Sequence, residues 1–539
     1  MAKNLQITPL GGLGGIGKNM TVYEYGRNLL VVDCGVMFPD NDMYGIDLVL
    51  PDFSYVVENR DIVRGIVLTH GHMDHIGALP YLLRQVNVPI YGTRLTLGLV
   101  ERQLAEKNLL DKADLHVINE SDRLHLGPFR VSPFAVAHSI PDAVGYVIET
   151  PVGKVVHTGD YKMDETPAGG YTTNLDRLRE LTSDGVLALL SDSTNADQPG
   201  RTETEQVVRK TLDRLFAEAK GDRIIIATFS SLLARVQEIM DLAQKHGRKI
   251  AITGRSMQSN VELARDLGYL KVPDHVLVDP HARIRPEKLV VLATGSQGEP
   301  RSALNRMSEG NHRQVQVGHG DTIIISGGTI PGNEEDVGRM LNGLFERGAN
   351  VIYGAMAAVH VSGHGGQGDM RVMLDTVKPK YVVPLHGERR HLYIHKRLAE
   401  EAGIQRDRIF VLKEGLPWVS DGDKAWTGDA MPMEDVWVDG RLIGEIGEIV
   451  LHDRHRLSQD GFIVALIPVN DKKELVGEPQ IVSRGFVYLN ESEELMEASR
   501  EEIKRQVKRG TRDLRRTLGD FFYRRTRSRP MVLPQYIQV

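Results

Sequence analysis

The feature that most constrains this chain is the six-residue run HGHMDH at 70–75, which directly follows the apolar segment GIVLT. The run brings together His70, His72, Asp74 and His75, and close packing of such imidazoles is unfavourable when they are protonated. Metal coordination removes this conflict, because imidazole binds a cation in its neutral form and a carboxylate binds it as an anion. The run therefore predicts a metal site at the carboxyl end of a strand.

Three further candidate ligands also follow predicted strands: His138 in FAVAHSIPD, Asp160 in VVHTGDYK and His386 in VVPLHGE. Polar residues at the carboxyl ends of strands are where α/β layers usually place their sites. Seven ligands are too many for one tetrahedral ion, so the sequence predicts two divalent ions. One sensible partition gives His70, His72 and His138 to the first ion, Asp74, His75 and His386 to the second, and Asp160 as the bridge.

A pair of ions indicates a class of chemistry. Two ions about 3.5–4 Å apart lower the pKa of a shared water and stabilise the attacking and leaving oxygens of a displacement at phosphorus. Imidazole-rich ligation favours zinc, and the carboxylates also permit manganese.

The length and patterning of the chain predict several domains. Its 539 residues exceed the roughly 250–300 at which one hydrophobic core stops growing. Up to about residue 200, short β-rich runs such as LLVVDCG and KVVHTGD alternate with turns. Between about 205 and 363, strands alternate with helices, which predicts a parallel sheet covered by helices. The strand-then-polar pattern returns after 364, so the middle region is expected to be an insertion in a discontinuous first domain.

The last block, from about 446, predicts a small separate α/β domain. It contains the expected strands EIVLHD, FIVALIPV, IVSRGFVYL and MVLPQYIQV and one charged helix from about Glu493 to Arg525. The apolar residues of that helix predict a face that packs on this domain or on a partner chain, and its Lys and Arg residues predict a solvated face. The predicted divisions are 1–204 and 364–445 for the two parts of the first domain, 205–363 for the insertion, and 446–539 for a linker and the C-terminal domain.

Composition narrows the class of protein. A hydrophobic content of 41% and a charged content of 26% are typical of a globular protein. No run approaches the roughly 18 apolar residues of a membrane span, which predicts a protein without a membrane partner. The single cysteine, Cys34, is expected to be a small buried residue. A single cysteine cannot form an internal disulfide, which fits a cytoplasmic location. The net charge of −6 gives no general attraction for a polyanion, so any affinity for nucleic acid would come from local groups.

The ligand pattern, with Asp33 upstream in VVDCG, resembles the metallo-β-lactamase superfamily, where this aspartate supports the ligands through hydrogen bonds. SDSTNA with Asp192, HVSGHG with His364 and PLHGE with His386 resemble the three additional motifs of the β-CASP nucleases. GGLGGIGKNM, TIPGNE, PLHGERRHL and IVSRGFVYL extend the resemblance to the ribonuclease J family over nearly the whole chain.

This resemblance implies an α/β fold: a metallo-β-lactamase αββα sandwich, an inserted doubly wound parallel β-CASP domain and a small C-terminal α/β domain. It implies a two-metal ribonuclease with 5′-to-3′ exonuclease and endonuclease activity in RNA processing and decay. The implied partners are single-stranded RNA, further copies of the chain in a homodimer or homotetramer joined through the C-terminal domain, and proteins of an RNA-degradation complex.

The resemblance also implies roles for particular residues. His364, steered by Asp192, would stabilise the transition state or protonate the leaving oxygen. The residues expected to bind substrate through amides and hydroxyls are Ser230, Ser231, His360, Val361, Ser362, Gly363 and His364. The turn Ser326-Gly327-Gly328 carries less serine than the family pattern, which leaves the balance of exonuclease and endonuclease action open.

Three alternatives stay open at this point. A small-molecule thioester or lactone hydrolase needs the metal site but has no need of the insertion. A non-catalytic scaffold subunit predicts eroded ligands, whereas all seven are present. A nuclease acting on DNA shares the phosphodiester chemistry, and discrimination would depend on contacts to the 2′-hydroxyl group.

Overall fold

The computed structural model describes residues 4–219, 221–330, 332–486 and 493–539, so the end of the expected strand IVSRGFVYL lies outside the described residues. The chain divides into two units, one formed by Met1–Phe38 and Val49–Val436 and the other by Pro39–Leu48 and Trp437–Val539. The domain boundaries expected from the sequence stay predictions.

Most strands among the first 192 residues belong to two β-sheets. The strands are β1 (Leu5–Gly11), β2 (Met20–Tyr25), β3 (Leu29–Val32), β4 (Leu48–Leu50), β5 (Val63–Val67), β6 (Ile90–Gly92), β7 (Leu115–Val117), β8 (Leu124–Leu126), β9 (Phe129–Ala135), β10 (Val144–Thr150), β11 (Gly153–His157) and β12 (Ala188–Asp192). The helices are α1 (Ser54–Glu58), α2 (Met73–Ile76), α3 (Leu79–Leu82), α4 (Arg94–Glu106) and α5 (Leu175–Leu181). Strand β3 is apolar and buried at every position, and β12 is buried at every position, because both faces of these strands are covered.

The insertion is a parallel sheet with helices on both faces. Its elements are α6 (Glu205–Glu218), β13 (Arg223–Ala227), α7 (Leu233–Lys245), β14 (Lys249–Thr253), α8 (Arg255–Asp266), β15 (Leu277–Val278), β16 (Leu289–Ala293), α9 (Ala303–Glu309), β17 (Asp321–Ile325), α10 (Glu334–Glu346) and β18 (Asn350–Ile352). The strands pair in parallel in the order β15-β14-β16-β13-β17-β18. Helices α6, α7 and α8 bury one face and α9 and α10 the other, which confirms the doubly wound sheet.

The chain then returns to the first two sheets through α11 (Gln367–Val377), β19 (Tyr381–Leu385), α12 (Arg389–Glu401), β20 (Trp418–Ser420) and β21 (Ala425–Thr427). The completed sheets have the orders β21-β20-β1-β2-β3-β5-β6-β7 and β19-β12-β11-β10-β9-β8. Side chains such as Tyr23 and Val32 from the first sheet and Phe129 and Tyr146 from the second share one buried core. This is the expected αββα sandwich, and the pairing of β19 with β12 brings His386 beside Asp192.

The C-terminal elements are β22 (Val436–Asp439), β23 (Leu442–Ile443), α13 (Glu448–Asp460), β24 (Phe462–Val469), β25 (Gln480–Arg484), α14 (Glu493–Lys508), α15 (Leu514–Thr526) and β26 (Met531–Gln538). Strand β24 pairs antiparallel with β25 and parallel with β26. The expected apolar helix face packs on this sheet, with Ile503, Leu514, Leu518 and Phe521 in the core. Arginines such as Arg515 are exposed, as the solvated-face interpretation requires.

Two expectations for this region are wrong. The segment EIVLHD is not a strand but the start of α13, and Ile449 is 78% exposed. A short apolar run fits a strand or a helix equally well by periodicity, so the pattern could not decide. The single charged helix is two helices, because Gly510 adopts a left-handed φ of 65° after α14. The side chain of Asp513 then accepts a hydrogen bond from the amide of Arg516 and caps α15.

One simpler expectation is confirmed. Cys34 is fully buried, and burial, together with the charge of Asp33, raises the pKa of its thiol. Across the parts of the chain that the structure describes, no helix has both the length and the apolar character to cross a bilayer.

Candidate active site

The loop 70–75 lies at the carboxyl end of β5 and is seated against the end of β3. The amide of Cys34 donates to the carbonyl oxygen of His75 at 2.8 Å, and the amide of Val36 donates to Met73 at 3.0 Å. A Cβ atom on Gly35 would lie 1.6 Å from the carbonyl oxygen of Asp74. Only glycine permits this approach of two backbones, which fixes where the loop presents its side chains.

The first expected ligand group is assembled in space. The Nε2 atom of His70 lies 3.0 Å from Nδ1 of His72, and Nε2 of His138 lies 3.1 Å from the same atom. His138 follows β9, so two separate strand ends supply the three rings. One nitrogen from each ring lies within 4.8 Å of the other two, close enough for all three to bind one cation.

The second group is equally close. The Nε2 atoms of His75 and His386 both lie 3.5 Å from Oδ2 of Asp74. With Asp160 these residues form a second set of potential ligand atoms within 4.8 Å of one another. A third set, which shares Asp160 and His386, includes Asp192 and His364.

Asp160 lies between the two groups. Its Oδ2 atom is 3.7 Å from Nε2 of His70 and 3.2 Å from Nε2 of His75, and its Oδ1 atom is 2.9 Å from Nδ1 of His386. The carboxylate therefore faces both groups, as a bridging ligand must.

The three imidazoles of the first group are held neutral. Burial lowers the pKa of His72 to about 4 and that of His138 to about 3, and burial with the neighbouring His75 lowers the pKa of His70 well below its ordinary value. Neutral imidazoles keep a lone pair for a cation. The donor set therefore fits a metal ion.

In the second group, charges of opposite sign face one another. Burial disfavours the charged forms, but Asp160, Asp74 and Asp192 raise the pKa of His386 to about 10, and Asp160 and its neighbours raise the pKa of His75. Conversely, the imidazoles hold the pKa of Asp74 and Asp160 well below the usual range in spite of burial. The buried Nε2 of His386 has no hydrogen-bond partner among the described residues. A cation replacing the protons would satisfy all of these groups.

Asp33 and Thr69 orient the ligands from behind. Asp33 accepts hydrogen bonds from the amide and the hydroxyl of Thr69 and from Nδ1 of His75, each at 2.8 Å. Because the only hydroxyl proton of Thr69 goes to Asp33, its oxygen accepts from Nδ1 of His70 at 3.1 Å. Both histidines are thereby oriented with Nε2 toward the site.

Two residues of the site have left-handed backbones. The φ angles are 62° for Asp33 and 49° for His386. Such conformations are costly for residues with a Cβ atom, and surrounding structure must hold them in place. Here the conformation turns each side chain inward at the end of its strand.

His364 lies beside the second group and is paired with Asp192. Its Nδ1 atom is 2.8 Å from Oδ2 of Asp192, and 19% of its side chain is exposed. Burial opposes protonation, but Asp192 and Asp160 raise the pKa of His364 above its ordinary value. The pair can hold a proton at the edge of the candidate metal ligands.

The expected substrate-binding segment 360–364 borders the same site. Gly363 accepts a hydrogen bond from Nδ1 of His138 at 2.9 Å. The side-chain amide of Asn195 donates to Oγ of Ser362 at 2.8 Å and to the carbonyl oxygen of His364 at 2.9 Å. Val361 is buried, and His360 is half-buried. The segment therefore joins the candidate metal ligands to the insertion.

The two expected serines of the insertion lie elsewhere on its edge. Ser230 and Ser231 follow β13, and the hydrogen bonds of Ser230 lead to Asn260. Ser326 follows the neighbouring β17 and is fully buried. The strand ends thus share one edge of the sheet, as the sequence predicts for parallel strands.

Sequence reasoning missed four residues that shape the site: Asn19, Thr69, Asn195 and Arg235. Asn19 donates to the carbonyl oxygen of Asp74 at 3.1 Å. Asn19 and Asn195 stand inside the motifs GGLGGIGKNM and SDSTNA, so their position was a signal. Thr69 directly precedes the histidine run, whereas Arg235 on α7 carries no local signal.

Comparison with known proteins assigns the chain to a family. The model of the Metallo-beta-lactamase superfamily matches residues 13–182, and that of the Zn-dependent metallo-hydrolase RNA specificity domain matches 351–411. The models of the Ribonuclease J, beta-CASP domain and the Ribonuclease J C-terminal domain match 221–344 and 449–539. Ribonuclease J2 of Bacillus subtilis (strain 168) is 39% identical, over 100% of this chain and 99% of that protein. This chain belongs to the ribonuclease J family.

Other ribonuclease J proteins are similar to a comparable extent. Ribonuclease J 1 of Streptococcus pyogenes is 40% identical over 98% of this chain and 96% of its own length. Ribonuclease J of Corynebacterium glutamicum is 40% identical over 99% of this chain and 76% of its own length. A solved protein of unknown function from Enterococcus faecalis V583 has a TM-score of 0.55 and 14% identity, over 77% of this chain and 100% of its own, which shows the fold alone.

Proposed function

We propose that this member of the ribonuclease J family is a metal-dependent ribonuclease that hydrolyses phosphodiester bonds of single-stranded RNA with two divalent ions. The observation that carries the proposal is the position of Asp160 between two complete groups of ligand atoms. The proposed ligands are His70, His72, Asp74, His75, His138, Asp160 and His386.

Divalent ions bound in such a site supply Lewis acidity and a water of lowered pKa for attack at phosphorus. The residues of the chain supply the rest. Asp33 and Thr69 keep the lone pairs of His75 and His70 directed inward. Burial lowers the pKa of His70, which favours the neutral imidazole, and the neighbouring imidazoles lower the pKa of Asp74, which favours the carboxylate; these are the forms that bind a cation.

We assign proton transfer to His364. Asp192 accepts the hydrogen bond from Nδ1 of His364, so the proton on Nε2 is the one available to a leaving oxygen. Asp192 and Asp160 raise the pKa of His364, which favours the imidazolium form, and an imidazolium can act as a general acid. Asp192 orients this ring and stabilises its charge.

The substrate would approach along 360–364 and the strand ends of the insertion. Backbone amides and hydroxyls of Ser362, Gly363, Ser230 and Ser231 offer donors for phosphate oxygens without reading the bases. We propose that both 5′-to-3′ exonucleolytic and internal cleavage use this path. The presence of both ligand groups and of the insertion disfavours a non-catalytic scaffold and a small-molecule hydrolase.

We further propose zinc as the preferred ion, since five of the seven ligands are imidazoles, with manganese as the alternative. The C-terminal domain would join copies of the chain into a homodimer or homotetramer. A cytoplasmic location stays a prediction from the single cysteine. Sedimentation of a chain truncated after 445 tests the assembly: weaker association is expected, and an unchanged oligomer would exclude this domain as the interface.

The decisive experiment is cleavage of matched single-stranded RNAs that carry a 5′-monophosphate, a 5′-triphosphate or a 5′-hydroxyl, with zinc and manganese added separately and a DNA control. We expect mononucleotides from the monophosphate RNA and internal fragments from the others. Asp74→Ala should abolish both products while the chain stays folded. Absence of cleavage with either metal in the unmodified protein would overturn the proposal.

A further inference from the structure

A fully buried arginine sits where the insertion meets the segment 360–364. Arg235 on α7 has a relative exposure of 2%. Its Nε and Nη2 atoms donate to Oε2 of Glu205, and its Nη1 atom donates to Oγ of Ser326 at 2.7 Å and to the carbonyl oxygen of Val359 at 3.0 Å. The planar fork thus reaches three separate stretches of the chain.

The carbonyl oxygen of Val359 is held twice. Ser326 accepts from Arg235, and its own hydroxyl proton goes to Val359 at 2.7 Å. The two donors occupy both lone pairs of the carbonyl that directly precedes 360–364. The start of this segment is therefore pinned to α7 and to the end of β17.

Glu205 extends the network toward the metal-binding residues. Its Oε1 atom lies 3.6 Å from Nζ of Lys162, which is 1% exposed and lies two residues after Asp160. The amide of Glu205 also donates to Asp164 at 3.0 Å, and Asp164 pairs with Lys162 at 3.2 Å. An unbroken set of polar contacts thus links the loop after β11, the first turn of α6 and the entry to 360–364.

Such a network is a weak source of stability, because burying charges costs about as much as their attraction returns. It is, however, an effective way of fixing geometry, since each donor and acceptor admits few arrangements. A hydrophobic side chain at position 235 would fill the same space without defining the position of Val359.

We propose that Arg235 is a positioning residue for RNA cleavage. Through Val359 and Glu205 it sets the distance between the segment 360–364 and the loop after β11, which carries Asp160. This inference rests on the proposed function of that segment. Arg235 itself does not contact the metal ligands.

The chain offers a matched control in the same domain. Arg223 pairs with Asp321 through two hydrogen bonds of 2.8 and 2.7 Å, at the first residues of β13 and β17. This pair lies at the opposite edge of the sheet from Ser326. Arg235→Lys and Arg223→Lys each keep the positive charge and remove the fork, so loss of a structural ion pair alone should affect them alike.

The first readout is steady-state cleavage of a 5′-monophosphorylated RNA oligonucleotide by the full chain. We expect Arg235→Lys to lower kcat/KM by about tenfold or more, with kcat reduced as well as KM raised, because a displaced segment misaligns both the bound RNA and His364 with the proposed metal ligands. Arg223→Lys should stay within about twofold of the unmodified enzyme. Ser326→Ala, which removes only one donor to Val359, should act in the direction of Arg235→Lys by about two- to fivefold.

The second readout does not need activity. Hydrogen exchange of the amides in 360–364, followed by mass spectrometry, should be faster in Arg235→Lys and Ser326→Ala than in Arg223→Lys. Equal exchange and equal kinetic loss in the two arginine variants would overturn the inference. If the unmodified protein cleaves no RNA, the proposed function fails, and the exchange comparison still decides whether Arg235 holds the segment.

Discussion

The Nδ1 atom of His138 lies 2.9 Å from the carbonyl oxygen of Gly363. The two residues are 225 positions apart in the sequence, so a proposed metal ligand of the first domain is held by the end of the insertion. Because Nδ1 donates this hydrogen bond, Nε2 is the nitrogen directed at His72. The proposed substrate-binding segment and the proposed metal site are therefore one structural unit.

Gly363→Ala should damage that unit. A Cβ atom at 363 would lie 2.8 Å from Cε1 of His138 and 2.8 Å from Cβ of Ser139, so the ring must move. We expect loss of one of the two ions, seen by elemental analysis of the purified protein, and at least about a tenfold loss of cleavage.

Gly354→Ala is the matched control, because a Cβ atom there meets nothing within 4 Å. It should keep both ions and full activity. Two ions and normal turnover in Gly363→Ala would show that the contact with His138 does not constrain the ligand.

Thr69→Val should weaken metal binding without unfolding the chain. It removes the hydroxyl that links Asp33 to His70. We expect a roughly 10–100-fold loss in metal affinity, measured by competition with a chelator. Thr322→Val removes a hydroxyl that donates to Asp222 at the same 2.8 Å. The free energy of unfolding of this control should fall by about 1 kcal/mol at most, and its metal affinity should not change. An equal loss of metal affinity in both variants would contradict the role of Thr69.

His364→Ala should lower kcat by about 10²–10⁴ while both ions stay bound, because the variant removes a general acid. Rapid-quench cleavage together with metal analysis checks this. His116→Ala serves as the control, since His116 pairs with Asp114 at 2.9 Å outside the site. Loss of an ion from His364→Ala would identify His364 as a ligand, in line with the third cluster that it shares with Asp192.

Glu238→Gln should change the pH dependence of stability. Burial raises the pKa of Glu238 to about 7 from an ordinary 4.5, so the folded chain binds this proton more tightly than the unfolded chain does. The free energy of unfolding therefore falls as pH rises from about 4.5 to about 7 and stays lower above that range.

The neutral glutamine avoids this loss. We expect Glu238→Gln to be more stable than the unmodified chain at pH 8, by on the order of 3 kcal/mol, and nearly equal at pH 5. Thermal unfolding at both pH values measures the difference, with the exposed Glu346 as the site of a control Glu→Gln change. An equal effect of Glu238→Gln at both pH values would mean that the carboxyl is not protonated in the folded chain near neutrality.

The residues that the sequence could place were those that end strands. His70, His138, Asp160 and His386 each follow an apolar run, and in a layered α/β fold such positions meet at one edge. The structure brings these side chains together. The count of seven ligands predicts two ions, but it does not determine which ligand belongs to which ion. The apolar pattern of a strand and the polar residue that ends it are both visible in the local sequence, which is why these positions could be predicted.

What the sequence could not give depends on distant contacts. The left-handed backbones of Asp33 and His386 are imposed by their surroundings, and residues with a Cβ atom give no local sign of them. The contact of Arg235 with Val359 spans 124 residues. The helix α13 was not predicted because a short apolar run fits a strand or a helix equally well by periodicity. The apolar run there does not form a core, since α13 has no buried residue.

The insertion between β12 and β19 has a consequence for the timing of synthesis. Asp160 and His386 differ by 226 positions, so at ordinary translation speeds on the order of ten seconds or more separates the two proposed ligands on the ribosome. The histidines 70, 72 and 138 emerge early, but the second ion has no complete set of ligands until the insertion has been made. A growing or prematurely terminated chain that ends before His386 therefore lacks one of the proposed ligands of the second ion.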